Sequence, residues 1–253
     1  MQLIYSNPYR ILGILVGATA REKERQVRRL KQFIEAEQEP EADFSFLAMG
    51  GIVRTVDNVT ESASKLNLDS DKITASLFWF YNGNPITDEP AFDALDDGDS
   101  ETAIRIWRKL VYDVDDLHNL VTKRNASAFH NLSTIYLHEY GIDKDTLQLK
   151  MLFLESEYFN ELKILATDET FKISQKEIQL LYLNSLLDEK VSNVIDAVSD
   201  IEFLAKEDFM KGFVQKPIEQ LEKQIDETRK KQKLILPKQE NTEMNYIKLQ
   251  SHF

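Results

Sequence analysis

Apolar residues recur at three- and four-residue spacings along almost the whole chain of 253 residues. This is the period of an amphipathic helix. Glycine and proline are scarce, with eight and six copies, and no long stretch alternates apolar and polar residues as a half-buried strand does. The pattern therefore predicts an all-α fold.

The first 40 residues predict two helices. Asn7 is a suitable N-cap, and Pro8 suits a first helical turn because its missing N–H has no partner there. This short helix is expected to end near Ile14. Thr19 and Glu22 have the spacing of a capping box and predict the start of a second, longer helix. Its apolar face carries Val27, Leu30 and Phe33 or Ile34, and its basic residues are Arg21, Lys23, Arg25, Arg28, Arg29 and Lys31.

This start resembles the first half of a J-domain, the module with which co-chaperones engage a heat-shock chaperone ATPase. The resemblance covers about residues 5 to 34 and is carried by the basic helix and by Tyr9, Ile11, Leu12, Gly13, Ala18 and Thr19. J-domains carry His-Pro-Asp in the loop that follows, whereas this chain has the glutamate-rich segment 35–41 there. In the family that tripeptide couples the module to ATP hydrolysis, so its absence implies that this chain does not stimulate an ATPase.

The next part of the chain predicts a packed loop and two helices. Segment 40–51 contains aromatic residues that we expect to pack on the core. A helix is predicted over 52–65, and Asp71 is expected to cap another that includes the aromatic run 77–81. The rings of that run are expected to be core, and the Asn-Gly-Asn-Pro sequence at 82–85 predicts the end of the helix.

Two helical hairpins are predicted after this break. The first covers 92–110 with a Gly-Asp turn at residues 98–99, and the second covers 125–158 with Gly141 between its helices. Small Ala103 and bulky Trp107 at helical spacing favour close helix packing. The region from about 74 to 165 resembles tetratricopeptide hairpins, in about two units.

The remaining sequence continues the helical pattern. Ser174 and Glu177 form another capping-box signature, and residues 193–205 predict a further amphipathic helix. The charges alternate in sign over 216–236, and the sequence turns polar after Pro237. We therefore predict three parts: a J-like helical pair in 1–40, an array of antiparallel helical hairpins in 41–215, and a charged terminal helix with a flexible tail in 216–253. The array is expected to be either solenoid-like or an irregular bundle.

Composition narrows the classes of partner. The chain has 43 acidic and 31 basic residues, a net charge of −12, which is the wrong sign for general binding to a phosphate backbone. It has no cysteine, which excludes disulfides, thiol catalysis and cysteine-ligated metals. No signal peptide and no membrane-spanning apolar run is apparent. A cytoplasmic location is expected.

The sequence predicts no catalytic, cofactor or metal site. His130 and His138 are eight residues apart, which is too far for one zinc ion. The acidic clusters at 96–99 and 113–116 lack the spacing of a calcium-binding EF-hand loop. We interpret the histidines as surface or hydrogen-bonded core residues and the acidic clusters as helix caps and solvated loops.

The sequence therefore predicts a non-enzymatic scaffold or adaptor for a protein partner, with the concave surface of the hairpins recognising a peptide or helix. The candidate partner-binding residues are Arg21, Arg25, Arg28, Arg29 and Lys31. The alternative interpretation of this basic helix is a solvated face that offsets neighbouring acidic surface. The alternative functions are a co-chaperone that engages a heat-shock ATPase through the basic helix, and the recognition half of a larger multidomain complex.

Overall fold

The computed structural model describes residues 2–38 and 43–213, and this part of the chain is helical. It forms one compact unit over Met1–Ala205 and a second over Lys206–Phe253, in which residues 206–213 are helical. The all-α prediction is confirmed. The helices of the first unit are α1 (Gln2–Tyr5), α2 (Pro8–Leu12), α3 (Ala20–Glu35), α4 (Val56–Lys65), α5 (Asp69–Ser76), α6 (Pro85–Asp96), α7 (Ser100–Val111), α8 (Ala126–Glu139), α9 (Lys144–Glu155), α10 (Phe159–Ala166), α11 (Gln175–Leu187) and α12 (Val191–Ser199), with a 3₁₀ turn at Leu47–Met49.

The helix starts near the N-terminus follow the predicted capping chemistry. The Asn7 side chain accepts a hydrogen bond from the Tyr9 N–H at the start of α2, and Pro8 occupies the first turn. Thr19 and Glu22 form a reciprocal capping box at the start of α3. Because α2 and α3 both pack on α4, residues 1–40 lie in the same compact unit as most of 41–215. The three-part division of the chain stays a prediction.

The prediction that helix α5 contains the aromatic run 77–81 is wrong. The helix starts at Asp69 instead of after Asp71, and it ends at Ser76. Residues 77–81 leave the helix and run beside the segment after α2, where the Val16 N–H donates to the Phe80 carbonyl over 3.0 Å. All five side chains of 77–81 are buried. The N–H groups of residues 77–79 still donate to carbonyls of α5, whereas the carbonyls of Leu77, Phe80 and Tyr81 accept hydrogen bonds from other elements.

An aromatic cluster around this run forms the core, as predicted for its rings. Phe80 stacks on Trp107 with ring centroids 5.9 Å apart, and Phe46 stacks on Phe92 at 5.4 Å. Phe46 lies in the loop 43–51, which confirms that this loop packs on the core by its aromatics. Helix α8 is buried from Ala126 to Leu137 and passes through the centre of the unit.

Buried polar side chains fix the 77–84 segment to the surrounding helices. The fully buried Asp88 carboxylate accepts hydrogen bonds from the Gly83 and Asn84 N–H groups, at 3.0 and 2.8 Å, and from the Trp107 indole N–H at 2.9 Å. Asn131 donates to the Tyr81 carbonyl and accepts from the Tyr81 N–H. These bonds replace the helical backbone bonds that the segment lacks.

The buried Lys150 amine completes this polar framework. It donates to the Leu77 carbonyl at 2.9 Å and to His130 Nδ1 at 3.1 Å, while His130 Nε2 bonds the Trp79 carbonyl at 2.7 Å. Burial lowers the pKa of both Lys150 and His130, and the Lys150 charge lowers that of His130 further. His130 is thus a hydrogen-bonded core residue, as the sequence indicated.

The two predicted hairpins correspond to consecutive helices that pack together, α6 with α7 and α8 with α9. Asp99 and Asp143 cap α7 and α9, and Ser174 with Glu177 caps α11 as predicted. Helix α10 is an additional element, and the helix predicted over 193–205 covers Val191–Ser199 instead. The repeat arrangement stays a prediction, and the predicted helix over 216–236 and its tail lie outside the described residues.

Candidate functional site

Helix α3 places the predicted basic residues around its outer surface. At about 100° per residue, Arg21, Arg25, Arg28 and Arg29 fall within an arc of about 100°. We call this arc the arginine face. Lys31 lies about 60° beyond the arc, on the side of the glutamates of the same helix. The structure therefore brings together four of the five candidate residues and leaves Lys31 at the margin.

The opposite side of α3 holds the helix in place. Leu30 is buried, and the Lys23 ammonium group donates to the Leu66 carbonyl at 3.0 Å and to the Asn67 side chain at 2.7 Å, at the end of α4. These contacts and the capping box at Thr19 fix the rotation of the helix about its axis. The arginine face is therefore turned away from α4 by contacts on the other side of the same helix.

Three of the four side chains of the arginine face are exposed, namely Arg21, Arg25 and Arg28, and Arg29 is half-buried. Among residues 2–38 and 43–213, no carboxylate lies within salt-bridge distance of any of these three guanidinium groups. The Arg29 guanidinium lies 5.5 Å from the centre of the Phe33 ring, which fixes it by a cation–π contact. The arrangement concentrates positive charge on one surface of a chain with net charge −12.

A groove with a volume of about 450 Å³ runs along this helix. The residues that line it include Arg25 and Arg29 of α3, the segment 13–18 that links α2 to α3, and the side chains of Phe44 and Leu165. Phe44 and Leu165 are both about two-fifths exposed, at 41% and 42%. Cationic and apolar groups thus lie side by side in one concave surface, a combination common in binding sites.

The carboxylates beside this groove are already bonded to other groups. The Glu22 carboxylate accepts hydrogen bonds from the Thr19 N–H and hydroxyl, both at 2.8 Å, and these bonds lower the pKa of Glu22. Asp43 forms a buried ion pair with Arg54, with the closest atoms 2.9 Å apart. The groove is therefore lined by two carboxylates as well as two arginines, and the charge of Arg25 also lowers the pKa of Glu22.

Asp96 lines a neighbouring cavity together with Asp43 and Arg54. We expect its side chain to make the stability of the protein depend on pH. Burial, assisted by the charges of Asp43, Asp93 and Asp97, raises the pKa of Asp96 to about 6. The unfolded value is about 4, so the native state holds the extra proton between these values and stability falls as the pH rises through this window. We expect Asp96→Asn to stabilise the protein above about pH 6 and to have little effect below about pH 4.

Urea unfolding of the parent and the variant at several pH values checks this expectation. Asp196→Asn is a suitable control, because Asp196 is exposed on α12 and is not among the groups that raise the pKa of Asp96. Identical pH profiles for the parent and Asp96→Asn would show that Asp96 does not retain its proton in the folded state.

A second groove, of about 660 Å³, lies beside α7 and has a balanced charge. Its Arg108 guanidinium donates to the Tyr136 hydroxyl at 2.7 Å and to Asp116 at 2.6 Å, and it lies 4.3 Å from the centre of the Tyr112 ring. Asp113 accepts from the N–H groups of Asp115 and Leu117, which confirms the interpretation of this acidic cluster as loop capping. Within the described ranges, no group of three or more potential metal ligands is found.

Sequence reasoning identified the arginines of the site but missed the rest of the groove. The segment 13–18, Phe44 and Leu165 come, together with α3, from four separate parts of the fold. A Cβ atom at Gly17 would lie 3.0 Å from the Leu165 side chain, so glycine permits the close approach of Leu165. The cue in the sequence was the high glycine content of 13–17 in a chain where glycine is scarce.

Comparison with protein-family models, with curated proteins and with solved structures finds no match for this chain. In the described ranges, none of the helices has the length and apolar character that crossing a membrane requires. The evidence on function therefore comes from the residues and geometry of the site.

Proposed function

We propose that this protein is a non-enzymatic interaction module that binds an acidic protein partner through the arginine face of α3. The observation that carries the proposal is the set of three exposed arginines, Arg21, Arg25 and Arg28, none of which forms a salt bridge within the described residues. Because the chain as a whole is acidic, an acidic partner is repelled by most of the surface and attracted to this face. Such complementarity sets the orientation and the rate of association.

The proposal follows from the rigidity of the helix as well as its charge. Helix α3 is capped at its N-terminus and held along its inner side by Leu30 and Lys23. A docking surface fixed before binding loses less conformational entropy when the partner is bound. The predicted cytoplasmic location and the J-like interpretation of α2 and α3 agree with this function and stay predictions.

Charge reversal on the arginine face tests the proposed function. We expect Arg21→Glu/Arg25→Glu/Arg28→Glu to abolish capture of the partner by the full chain, because three attractive contacts become repulsive. The matched control is Lys123→Glu/Arg124→Glu/Lys144→Glu, which changes the net charge equally at exposed positions elsewhere. Affinity capture from a cell extract, followed by binding measurements with the identified partner, gives the comparison.

The control variant is expected to retain the partner, and capture by the parent is expected to weaken as the salt concentration rises. Equal capture by both triple variants would overturn the proposal, because the position of the charges would then have no effect.

A further inference from the structure

The amine of the buried Lys150 side chain faces three hydrogen-bond acceptors. Lys150 is 1% exposed. Its Nζ atom lies 2.9 Å from the Leu77 carbonyl oxygen, 3.1 Å from His130 Nδ1 and 3.4 Å from the Thr134 hydroxyl oxygen. The Thr134 hydroxyl itself donates to the His130 carbonyl, so its oxygen faces Lys150 as an acceptor. Three acceptors match the three N–H groups of one ammonium ion.

The bonds of His130 determine which of its ring nitrogens carries a hydrogen. His130 is fully buried, and its Nε2 atom lies 2.7 Å from the Trp79 carbonyl oxygen. Because a carbonyl oxygen can only accept, Nε2 carries the hydrogen and Nδ1 presents a lone pair to Lys150. A second proton on the ring would go to Nδ1 and point at the amine 3.1 Å away. The pair therefore holds one positive charge in this arrangement and cannot hold two.

The titratable groups that face this pair are neutral. The Tyr182 ring of α11 lies 5.6 Å from Lys150 Nζ, and the Tyr81 ring lies 5.3 Å from that of His130. Burial raises the pKa of both tyrosines. The buried Asp88 carboxylate of α6 is bonded to backbone N–H groups and an indole instead. Within the described residues no carboxylate forms a salt bridge with the pair, so a second positive charge stays uncompensated.

The pair holds the segment 77–81 by its backbone. Lys150 bonds the Leu77 carbonyl. His130 bonds the Trp79 carbonyl. Separating the two side chains from the segment would leave two buried carbonyl groups without their partners, which is strongly destabilising.

The same segment also holds the chain between α2 and α3. The Trp79 indole N–H donates to the Ile14 carbonyl at 3.0 Å, and the Val16 N–H donates to the Phe80 carbonyl at 3.0 Å. Loosening of 77–81 would therefore also loosen the residues that precede α3.

We infer that the Lys150–His130 pair is an acid-sensitive latch, which releases the segment 77–81 from α8 and α9 when the pair takes up a second positive charge. The segment opens before the rest of the compact unit unfolds, because the bonds that are lost belong to it. The latch does not depend on the partner proposed for α3, since its bonds lie inside the compact unit.

The direction of the pH dependence follows from His130. In the unfolded chain its imidazole binds a proton near pH 6.5, whereas burial and the Lys150 charge lower its pKa in the folded chain. The unfolded or opened state thus binds more protons below about pH 6.5, and the latch loses stability as the pH falls below that value.

Hydrogen exchange of the full chain at pH 7 and pH 5, followed by mass spectrometry of peptides, tests the latch. Protection factors are corrected for the intrinsic exchange rate. For peptides that cover 77–84 and 14–16 we expect them to fall by about tenfold or more between pH 7 and pH 5, since one proton changes an equilibrium up to tenfold per pH unit. For peptides of α4 we expect a fall of less than about threefold, because local opening leaves that helix in place.

Two variants separate the latch from general effects of acid. His130→Gln keeps a side-chain N–H donor but cannot be protonated, so we expect the pH dependence at 77–84 to be lost. The matched control is His118→Gln, which removes an imidazole from an exposed loop position and is expected to behave as the parent does. Circular dichroism at pH 7 checks that both variants are folded.

The parent profile decides by itself if His130→Gln does not fold. Equal protection of 77–84 at the two pH values, or a fall of the same size in α4, would overturn the latch. A fall at 77–84 that persists in folded His130→Gln would overturn it as well, because another group would then be the one that titrates.

Discussion

Gly13→Ala is expected to lower the free energy of unfolding by about 4 kcal/mol. Gly13 ends α2 with φ +63°, a left-handed conformation that costs about 1 kcal/mol for alanine. A Cβ atom there would also overlap the carboxylate of Asp43. Moving Asp43 disrupts its buried pair with Arg54, and breaking such a pair costs about 3 kcal/mol or more. Urea unfolding measures the change.

Gly141→Ala separates the two contributions to this effect. Gly141, which follows α8, also has positive φ, at +84°, but a Cβ atom there meets nothing within 4 Å. We expect that variant to lose only the backbone contribution of about 1 kcal/mol. Equal losses at the two glycines would show that the contact of Gly13 with Asp43 contributes nothing to stability.

Asp88→Asn is expected to lower the free energy of unfolding by about 3 kcal/mol. The Asp88 carboxylate accepts hydrogen bonds from Gly83, Asn84 and Trp107, and the Asn131 amide lies 3.4 Å away. An asparagine has the same shape but turns an NH₂ group toward some of these donors, so buried N–H groups face one another without an acceptor.

The matched control for this substitution is Asp93→Asn in the same helix, where the side chain is exposed. We expect its effect to stay within about 0.5 kcal/mol, as for most surface substitutions. Urea unfolding of the parent and of both variants gives the midpoints to compare. A midpoint for Asp88→Asn equal to that of the parent would contradict the role given to the buried carboxylate in holding the turn at 82–84.

Local signals in the sequence predicted much of this fold because they act within a few residues. Thr19 and Glu22, or Ser174 and Glu177, lie within one turn of each other, and their capping geometry depends only on that turn. The helical period of the apolar residues likewise requires no knowledge of the rest of the chain. The all-α class followed from these local features.

The run 77–81 could not be predicted in the same way. Its spacing fits a helix, but its carbonyl groups bond to residues that are distant in the sequence, namely Val16, Asn131, Lys150 and His130. These tertiary partners outweigh a helical propensity that is a weak determinant by itself. The buried Asp88 and Lys150 gave no sign of this role in the sequence, where each resembles an ordinary surface charge.

The candidate site likewise has one part that local sequence signals predict and one part that depends on tertiary contacts. The arginines belong to one amphipathic helix that the sequence predicts, although the predicted set also included Lys31, which lies outside the arginine face. The groove depends on Phe44 and Leu165, which only the folded chain brings beside α3. A site assembled from distant segments leaves no periodic pattern, and this one required coordinates.

Site-specific cross-linking tests the central claim most directly, that an acidic partner docks on the arginine face. The chain has no cysteine, so Gln32→Cys, an exposed position on the same face of α3, gives a single site for a benzophenone-maleimide label and keeps every arginine. Lys123→Cys provides the control position on a different exposed surface. We predict that, on irradiation, the partner identified by affinity capture cross-links to the label at position 32 and not at position 123. Cross-linking at 123 with none at 32 would contradict the account.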